Sequence, residues 1–169
     1  MRLTNRLGLA LLCVSGVLAA GCGGSRELTQ VVLEVDTDIA APATIDEIRA
    51  TITSPSGETR VASAVLGFGQ PPPPRTLSIT HGDGALTDYE VDLEGLSRGV
   101  VVVSRRVTFD MTAGEIRKVV VSLDQACVGV PCSNGTTCSA GECVAPGIET
   151  VPLSTSSDDA GMTPVDGGV

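Results

Sequence analysis

The chain has 169 residues, a formal net charge of −9 and few aromatic side chains, with two Phe, one Tyr and no Trp. An acidic chain repels nucleic-acid backbones, and scarce aromatic rings argue against a surface that stacks on sugars or single-stranded bases. The length suits one domain with small appendages, whose core must consist of Val, Ile and Leu, and the β-branched residues among these favour strands.

The first element is an N-terminal segment of the kind that directs export. Arg2 and Arg6 make residues 1–6 positive, and residues 7–18 form an uncharged, mostly apolar run. This run is shorter than the roughly 20 residues that a transmembrane helix needs, so it predicts a signal peptide over residues 1–21. Its removal changes the net charge from −9 to −11, because it contains two arginines and no acidic residue.

The residues at the predicted cleavage point, Ala19-Ala20-Gly21-Cys22, resemble the lipobox of bacterial lipoproteins, although Ala19 stands where leucine is usual. The resemblance implies that the Cys22 sulfur carries diacylglycerol and that its amine is acylated, and two or three acyl chains make a lasting anchor. Gly23 replaces a retention aspartate found in some lipoproteins, which favours the outer membrane. Residues 22–27 then form a flexible tether. The alternative is an ordinary signal peptide and a soluble exported protein.

Residues 28–125 are predicted to form one β-sandwich domain. Apolar and polar residues alternate in about seven short segments separated by turns that contain Pro, Gly or Asp, and none shows helical periodicity. The predicted strands cover residues 31–36, 48–53, 59–66, 76–80, 89–94, 100–109 and 117–123. This number and spacing are typical of an immunoglobulin-like or fibronectin-like sandwich, as an architecture rather than a family, because the hallmark Cys and Trp of antibody domains are missing.

Two features within this domain have alternative interpretations. Residues 67–74 end in four prolines, which cannot donate to a ladder, so an extended polyproline loop is predicted. The loop is either a stiff surface connection or a segment that docks into an aromatic groove on a partner. The charged pairs Arg105-Arg106 and Arg117-Lys118 lie on predicted strands. They are expected to discourage edge-to-edge pairing, and a functional basic patch is the alternative.

Four clustered cysteines follow the predicted sandwich, at positions Cys127, Cys132, Cys138 and Cys143. In an exported chain they predict two disulfides within residues 126–144, a segment too short for an apolar core of its own. Three connectivities are possible. The alternative is a zinc site, although zinc ligand pairs are usually two to four residues apart.

Two resemblances involve these cysteines. The opening spacing resembles the first half of an EGF-like module, which implies the pairs Cys127–Cys138 and Cys132–Cys143. The lipobox, the β domain and the motif Cys127-Val128-Gly129-Val130-Pro131-Cys132 together resemble surface lipoproteins of the myxobacterial type. That likeness implies no chemistry. Residues 145–169 are rich in Ser, Asp, Gly and Pro and are expected to be disordered.

Few residues are candidates for chemistry. His81 is the only histidine and could join Asp83 and a serine, but no nucleophile-elbow signature supports a hydrolase. The acidic sets that could offer oxygens to calcium are Asp36 with Asp38, and Asp83 with Asp88 and Glu90. Neither set matches an EF-hand loop. We therefore predict no catalytic residue, no metal and no cofactor.

The sequence thus leads to a non-enzymatic, lipid-anchored protein of the cell envelope with a structural or protein-binding role. It would be held at the outer membrane through Cys22 and would bind no nucleic acid. The alternative is an accessory lipoprotein subunit of a periplasmic or outer-membrane complex, which would need an exposed apolar patch. A hydrolase is a third and more distant hypothesis.

Overall fold

Each segment with alternating side chains forms a strand in the computed structural model, which describes residues 27–153. The main strands are β1 (Gln30–Thr37), β2 (Glu47–Thr53), β3 (Thr59–Val65), β4 (Arg75–Thr80), β5 (Tyr89–Ser97), β6 (Val100–Phe109) and β7 (Ile116–Leu123). The all-β class and the count of seven main strands are confirmed. Within residues 27–153, no helix has the length and apolar character to span a membrane.

The seven strands form two sheets with different pairing. Sheet A has the order β10-β7-β1-β4, in which β1 is antiparallel to β4 and parallel to β7. Sheet B has the order β3-β2-β5-β6, and all of its neighbours are antiparallel. The two sheets pack face to face, so the predicted sandwich architecture is confirmed.

The core lies between the two sheets and is almost entirely aliphatic. Its most deeply buried side chains come mostly from every second residue of β1, β5, β6 and β7, with one loop residue, Ile45: Val31, Leu33, Ile45, Val91, Leu93, Leu96, Val107, Val119, Val121 and Leu123. Burying an aliphatic side chain of this size contributes about 1.5–3 kcal/mol, so this alternation is the main source of stability. At one end of the core, Tyr89 stacks on Phe109 with ring centroids 6.0 Å apart.

The two ends of the sandwich differ in what they hold. We call one the N-terminal end, where Thr29 accepts a hydrogen bond from His81 and Leu153 donates one to Ile116. The described chain therefore begins and finishes at this end. The distal end carries the loop of residues 67–74, whose Phe68 side chain is fully exposed.

The C-terminal segment adds three short strands: β8 (Thr137–Ser139), β9 (Glu142–Val144) and β10 (Val151–Pro152). A 3-10 turn (Gln125–Cys127) leads into it, and β8 pairs with β9. Disulfides join Cys127 to Cys138 and Cys132 to Cys143, so the pairing implied by the EGF-like spacing is confirmed.

The predicted boundary of the disordered tail at residue 145 is wrong. Residues 145–153 are ordered against the sandwich, and β10 pairs with β7. The Arg117 side chain holds this segment, since its Nε donates to Thr150 Oγ1 at 2.7 Å and another guanidinium nitrogen donates to the Thr150 carbonyl. A Ser- and Pro-rich composition did not indicate these bonds because they are made by a residue outside the segment. The rest of the predicted tail, residues 154–169, lies outside the described residues, as do the signal peptide and Cys22.

Candidate functional site

The two sides of the sandwich, where the edge strands lie, are built differently. We call the side formed by β6 and β7 the closed side, because the C-terminal segment covers it. The Arg106 and Thr108 amides at the β6 edge donate to Thr137 Oγ1 and to the Pro146 carbonyl, at 2.8 and 2.9 Å. Cys127 and Cys138 are 4% and 3% exposed and belong to the core. The disulfide segment is therefore a wall of the sandwich rather than an appended module.

The opposite side is formed by β3 and β4, and we call it the open side. Each is the last strand of its sheet, and no other strand within residues 27–153 pairs with its outer edge. Proteins usually protect such edges with charges, prolines or bulges. β3 has an uninterrupted register over seven residues, contains no proline and carries one charged side chain, Arg60. It is therefore a nearly unprotected edge.

The hydrogen bonds identify which backbone groups of these edges are free. On either side of β3, the Glu58 carbonyl accepts the Ser54 amide and the Leu66 amide donates to the Asp46 carbonyl, next to the two ends of β2. Because bonded pairs alternate in an antiparallel ladder, the odd-numbered residues of β3 direct their N–H and C=O groups outward. In β4, the flanking His81 amide donates to the Thr29 carbonyl, so the outward groups belong to the even-numbered residues Thr76, Ser78 and Thr80.

An apolar cleft lies between these edges and leads into the core. Its larger part has a volume of about 240 Å³ and is floored by Ile52, Leu77, Ile79 and Tyr89. A smaller part of about 110 Å³ continues toward the distal end and shares Ala62 and Leu77 with the larger one. The larger part is rimmed by polar side chains: Ser54, Ser56, Glu58, Arg60, Ser78, Thr80 and Asp83.

Small side chains on β3 create this cleft. Ala62 and Ala64 pair with Ala50 and Ile48 of β2, so they face the interior as their partners do. Yet Ile48 and Ala50 are buried, whereas Ala62 and Ala64 remain partly exposed. The outer face of the same strand carries Val61, which is 64% exposed. β3 thus places small residues inward and aliphatic residues outward.

Arg75 links the two edges at the distal end of the cleft. One of its terminal guanidinium nitrogens donates to the Val65 carbonyl at 3.0 Å. Its Nε is buried and has no hydrogen-bond partner among residues 27–153, and the side chain makes no ion pair there. A buried donor without an acceptor is unfavourable by about 1–3 kcal/mol, so this group would gain from an incoming acceptor.

The N-terminal end of the cleft holds the residue that sequence analysis considered for catalysis. His81 Nδ1 lies 2.7 Å from Tyr89 Oη, and the rings pack edge to face. Burial raises the pKa of the Tyr89 phenol above its ordinary value of 10.0, and the charge of Glu58 raises it further. Ser54 and Ser56, the nearby serines, bond to each other. Within the described part of the chain, His81 therefore pairs with a phenol rather than with a serine or a carboxylate.

The remaining predicted site residues are scattered. Asp38 accepts the Gln125 amide and Asp36 accepts the Thr37 amide, so both have structural partners. Residues 27–153 contain no group of three or more His, Cys, Asp or Glu side chains placed to hold a metal. Cys22 lies outside the described residues.

The charges on β6 and β7 bond to neighbouring strands or to the C-terminal segment. Arg106 forms an ion pair with Asp92 at 2.7 Å, and Lys118 with Glu34 at 2.8 Å. Arg105 points between the sheets and donates to the Ser122 carbonyl. These charges lie on strands, as predicted, and the strand edges beside them are covered by the C-terminal segment. Nothing in the local sequence pattern distinguishes Ala62, Ala64 and Arg75, because their significance depends on which strands lie at the edges.

Comparison of the chain with models of known protein families, with curated proteins and with solved structures gives no match.

Proposed function

We propose that the protein is a non-catalytic, lipid-anchored component of the cell envelope whose open side binds a protein partner. One observation carries the proposal: none of residues 27–153 covers the β3 and β4 edges or the apolar cleft between them, while the opposite side of the same sandwich is covered. Apolar clefts with a few polar groups at the rim are typical of binding sites. Free strand edges are typical sites for an added strand from a partner.

The position of the chain start supports anchoring through Cys22. Four residues separate Cys22 from Glu27, and the five Cα–Cα steps between these two residues span at most about 18 Å in an extended chain. Because the described chain begins at the N-terminal end of the sandwich, a lipid on Cys22 would hold that end near the bilayer. The open side would then run away from the membrane, and Phe68 would lie at the end most distant from it.

A second candidate is an accessory subunit of an envelope complex, and the exposed apolar residues around β3 favour it. Val61 and Val65 are 64% and 60% exposed on the outer face of β3, and Phe68 follows in the distal loop with its ring fully exposed. Aromatic side chains of this kind often anchor protein interfaces. The hydrolase hypothesis gains no comparable support, because the bonding partner of His81 is Tyr89.

Cell fractionation and crosslinking on intact cells test the two parts of the proposal. The variant Cys22→Ser should leave the membrane fraction, whereas the control Cys13→Ser, within the predicted signal peptide, should remain there. A photoreactive residue at Val61 should capture a protein partner. The matched control is Val120 on the outer face of β7, which is also exposed. Membrane retention of Cys22→Ser would refute the anchor, and equal capture from both positions would refute the open side as the binding side.

A further inference from the structure

Within residues 27–153, no strand pairs with the outer edge of β4 in sheet A, and we propose that an extended segment of a protein partner pairs with this edge. The partner strand would run antiparallel to β4, place alternate apolar side chains in the cleft and bring a carboxylate to Arg75. This inference rests on the proposed function and specifies the chemistry of its partner.

Sheets A and B contain unequal numbers of long strands. Sheet B has four, of seven to ten residues, whereas sheet A has three, since β10 contains two residues. β7 contacts β5 and β6 across the core, which leaves β1 and β4 to cover the remaining width of sheet B. In the described part of the chain, no strand therefore lies opposite the inner face of β3. This explains why Ala62 and Ala64 remain partly exposed on a face that is buried in β2.

A strand added to the free edge of β3 and a strand added to the free edge of β4 would lie in different places relative to the cleft. A strand added to β3 would extend sheet B and leave the cleft uncovered. A strand added to β4 would extend sheet A and lie opposite β3, about 10 Å away at ordinary sheet spacing. It would cover the cleft. The outward groups of Thr76, Ser78 and Thr80 give β4 three donors and three acceptors for this pairing.

The charges at the two ends of the cleft determine the direction in which the partner strand would run. Arg75 lies at the distal end of the cleft with its buried Nε unpartnered, while the acidic side chains Glu58 and Asp83 lie at the N-terminal end. A strand with a carboxylate at its C-terminal end would satisfy Arg75 only if that end were distal. Because β4 runs from the distal end to the N-terminal end, such a strand is antiparallel to β4.

A second copy of the chain fits this edge less well than a partner strand does. Antiparallel pairing of two β4 strands about a twofold axis would direct the two N-terminal ends in opposite directions. Both would have to stay within about 18 Å of one bilayer, given the five residues after Cys22.

Residues 154–169 of the same chain also fit less well. They continue from Leu153 at the other edge of sheet A, and their large apolar residues, Met162, Val165 and Val169, do not alternate.

The test uses the full chain purified in detergent and a fluorescent eight-residue probe, Thr-Val-Thr-Val-Thr-Val-Thr-Glu, with a free carboxylate. We expect saturable binding that a scrambled probe of the same composition does not show. The Ser78→Pro variant removes an outward amide without touching the ladder to β1, and should weaken binding about tenfold or more. The control Ser78→Ala keeps the amide and should bind within about twofold of the wild type. A probe with Gln and a terminal amide should bind less tightly.

A second pair of variants keeps the test decisive if Ser78→Pro does not fold. Ala62→Leu fills the cleft and should also weaken binding about tenfold, whereas the control Val120→Leu, at an exposed position on the outer face of β7, should not. Hydrogen exchange with the bound probe should slow at Ser78 and Thr80.

Several results would overturn the inference. One is that the bound probe slows hydrogen exchange at Val61 and Ser63 of β3 instead of at Ser78 and Thr80 of β4. Another is that neither Ser78→Pro nor Ala62→Leu changes the affinity for the probe. A dimer that Ser78→Pro dissociates would assign the edge to a second copy, and binding only after deletion of residues 154–169 would assign it to the chain itself. Capture from Val61 in cells without any probe binding would leave the proposed function intact while refuting strand addition.

Discussion

The closed and open sides of this sandwich both consist of edge strands, but the described residues cover these edges on the closed side only. On each side two edge strands leave backbone groups without partners and expose the margin of an aliphatic core. On the closed side, the chain returns after β7 and covers β6 with a disulfide-linked segment and β7 with β10. On the open side, the chain crosses from β3 to β4 at the distal end, through residues 67–74, and no other described residue covers the cleft between the two edges.

The described part of the C-terminal segment covers the closed side and not the open side. It supplies two buried cysteines to the core and bonds to the β6 edge at Arg106 and Thr108. The open side lies only one sheet width away and receives no such cover from the described residues.

The largest expected effect comes from removing the buried disulfide of the closed side. The two bridges close loops of equal sequence separation, 11 residues, so the loss of loop entropy is the same for both, about 3 kcal/mol. Cys127 and Cys138 are buried whereas Cys143 is exposed, so only the first bridge also supports the core. Replacing Cys127 and Cys138 by Ser should therefore lower the free energy of unfolding more than replacing Cys132 and Cys143.

Urea unfolding of the two double variants measures this difference. The expected order of midpoints is wild type, then the variant without Cys132–Cys143, then the variant without Cys127–Cys138. Equal losses of stability in the two double variants would show that the disulfide segment is stabilised independently of the sandwich. The closed side would then not depend on this segment.

The next effect comes from Asp124, which joins the sandwich to the disulfide segment. Its carboxylate accepts the Ala140 amide at 2.8 Å and lies 3.8 Å from the Arg105 guanidinium. Burial lowers the pKa of Arg105, and the charge of Asp124 partly offsets this. The variant Asp124→Asn leaves that half-buried cation without its partner and should destabilise the fold by about 1–2 kcal/mol.

Asp83 at the rim of the open side is the matched control. It has no hydrogen bond or ion pair within residues 27–153, so Asp83→Asn should change the free energy of unfolding by less than about 0.5 kcal/mol. Hydrogen exchange at the Ala140 amide should accelerate in Asp124→Asn alone. Similar destabilisation by both variants would contradict the assigned role of Asp124.

The fold could be predicted from the sequence because the alternation of residues 31–35 or 89–94 depends only on which face of a strand is buried. The C-terminal boundary could not, since Arg117 and Thr150 meet only after the chain returns to β7. The open side could not be predicted either. Alanines such as Ala62 and Ala64 are unremarkable in sequence, and they acquire meaning from the position of β3 at an edge and from the absence of an opposing strand. Strand order is set by long-range pairing that local patterns do not encode.

The smallest expected effect concerns Tyr89, at the N-terminal end of the open cleft. Since burial and the charge of Glu58 raise its pKa above 10.0, the folded chain keeps a proton that the unfolded chain releases above pH 10. Unfolding therefore becomes more favourable as the pH rises past 10, and part of the stability present below that pH is lost. The chain has one tyrosine, so ultraviolet titration reports its pKa directly.

The variant Tyr89→Phe separates this titration from other alkaline effects. At pH 7 it loses the hydrogen bond to His81 and should be less stable than the wild type by about 1 kcal/mol. Above pH 10 the difference in urea midpoint should narrow, because phenylalanine has no proton to release. Parallel pH profiles, or a phenol that titrates in the folded protein as in the unfolded one, would show that water reaches this ring freely. Water would then reach the apolar end of the cleft. The open and closed sides would differ only in whether the backbone groups of their edge strands are paired.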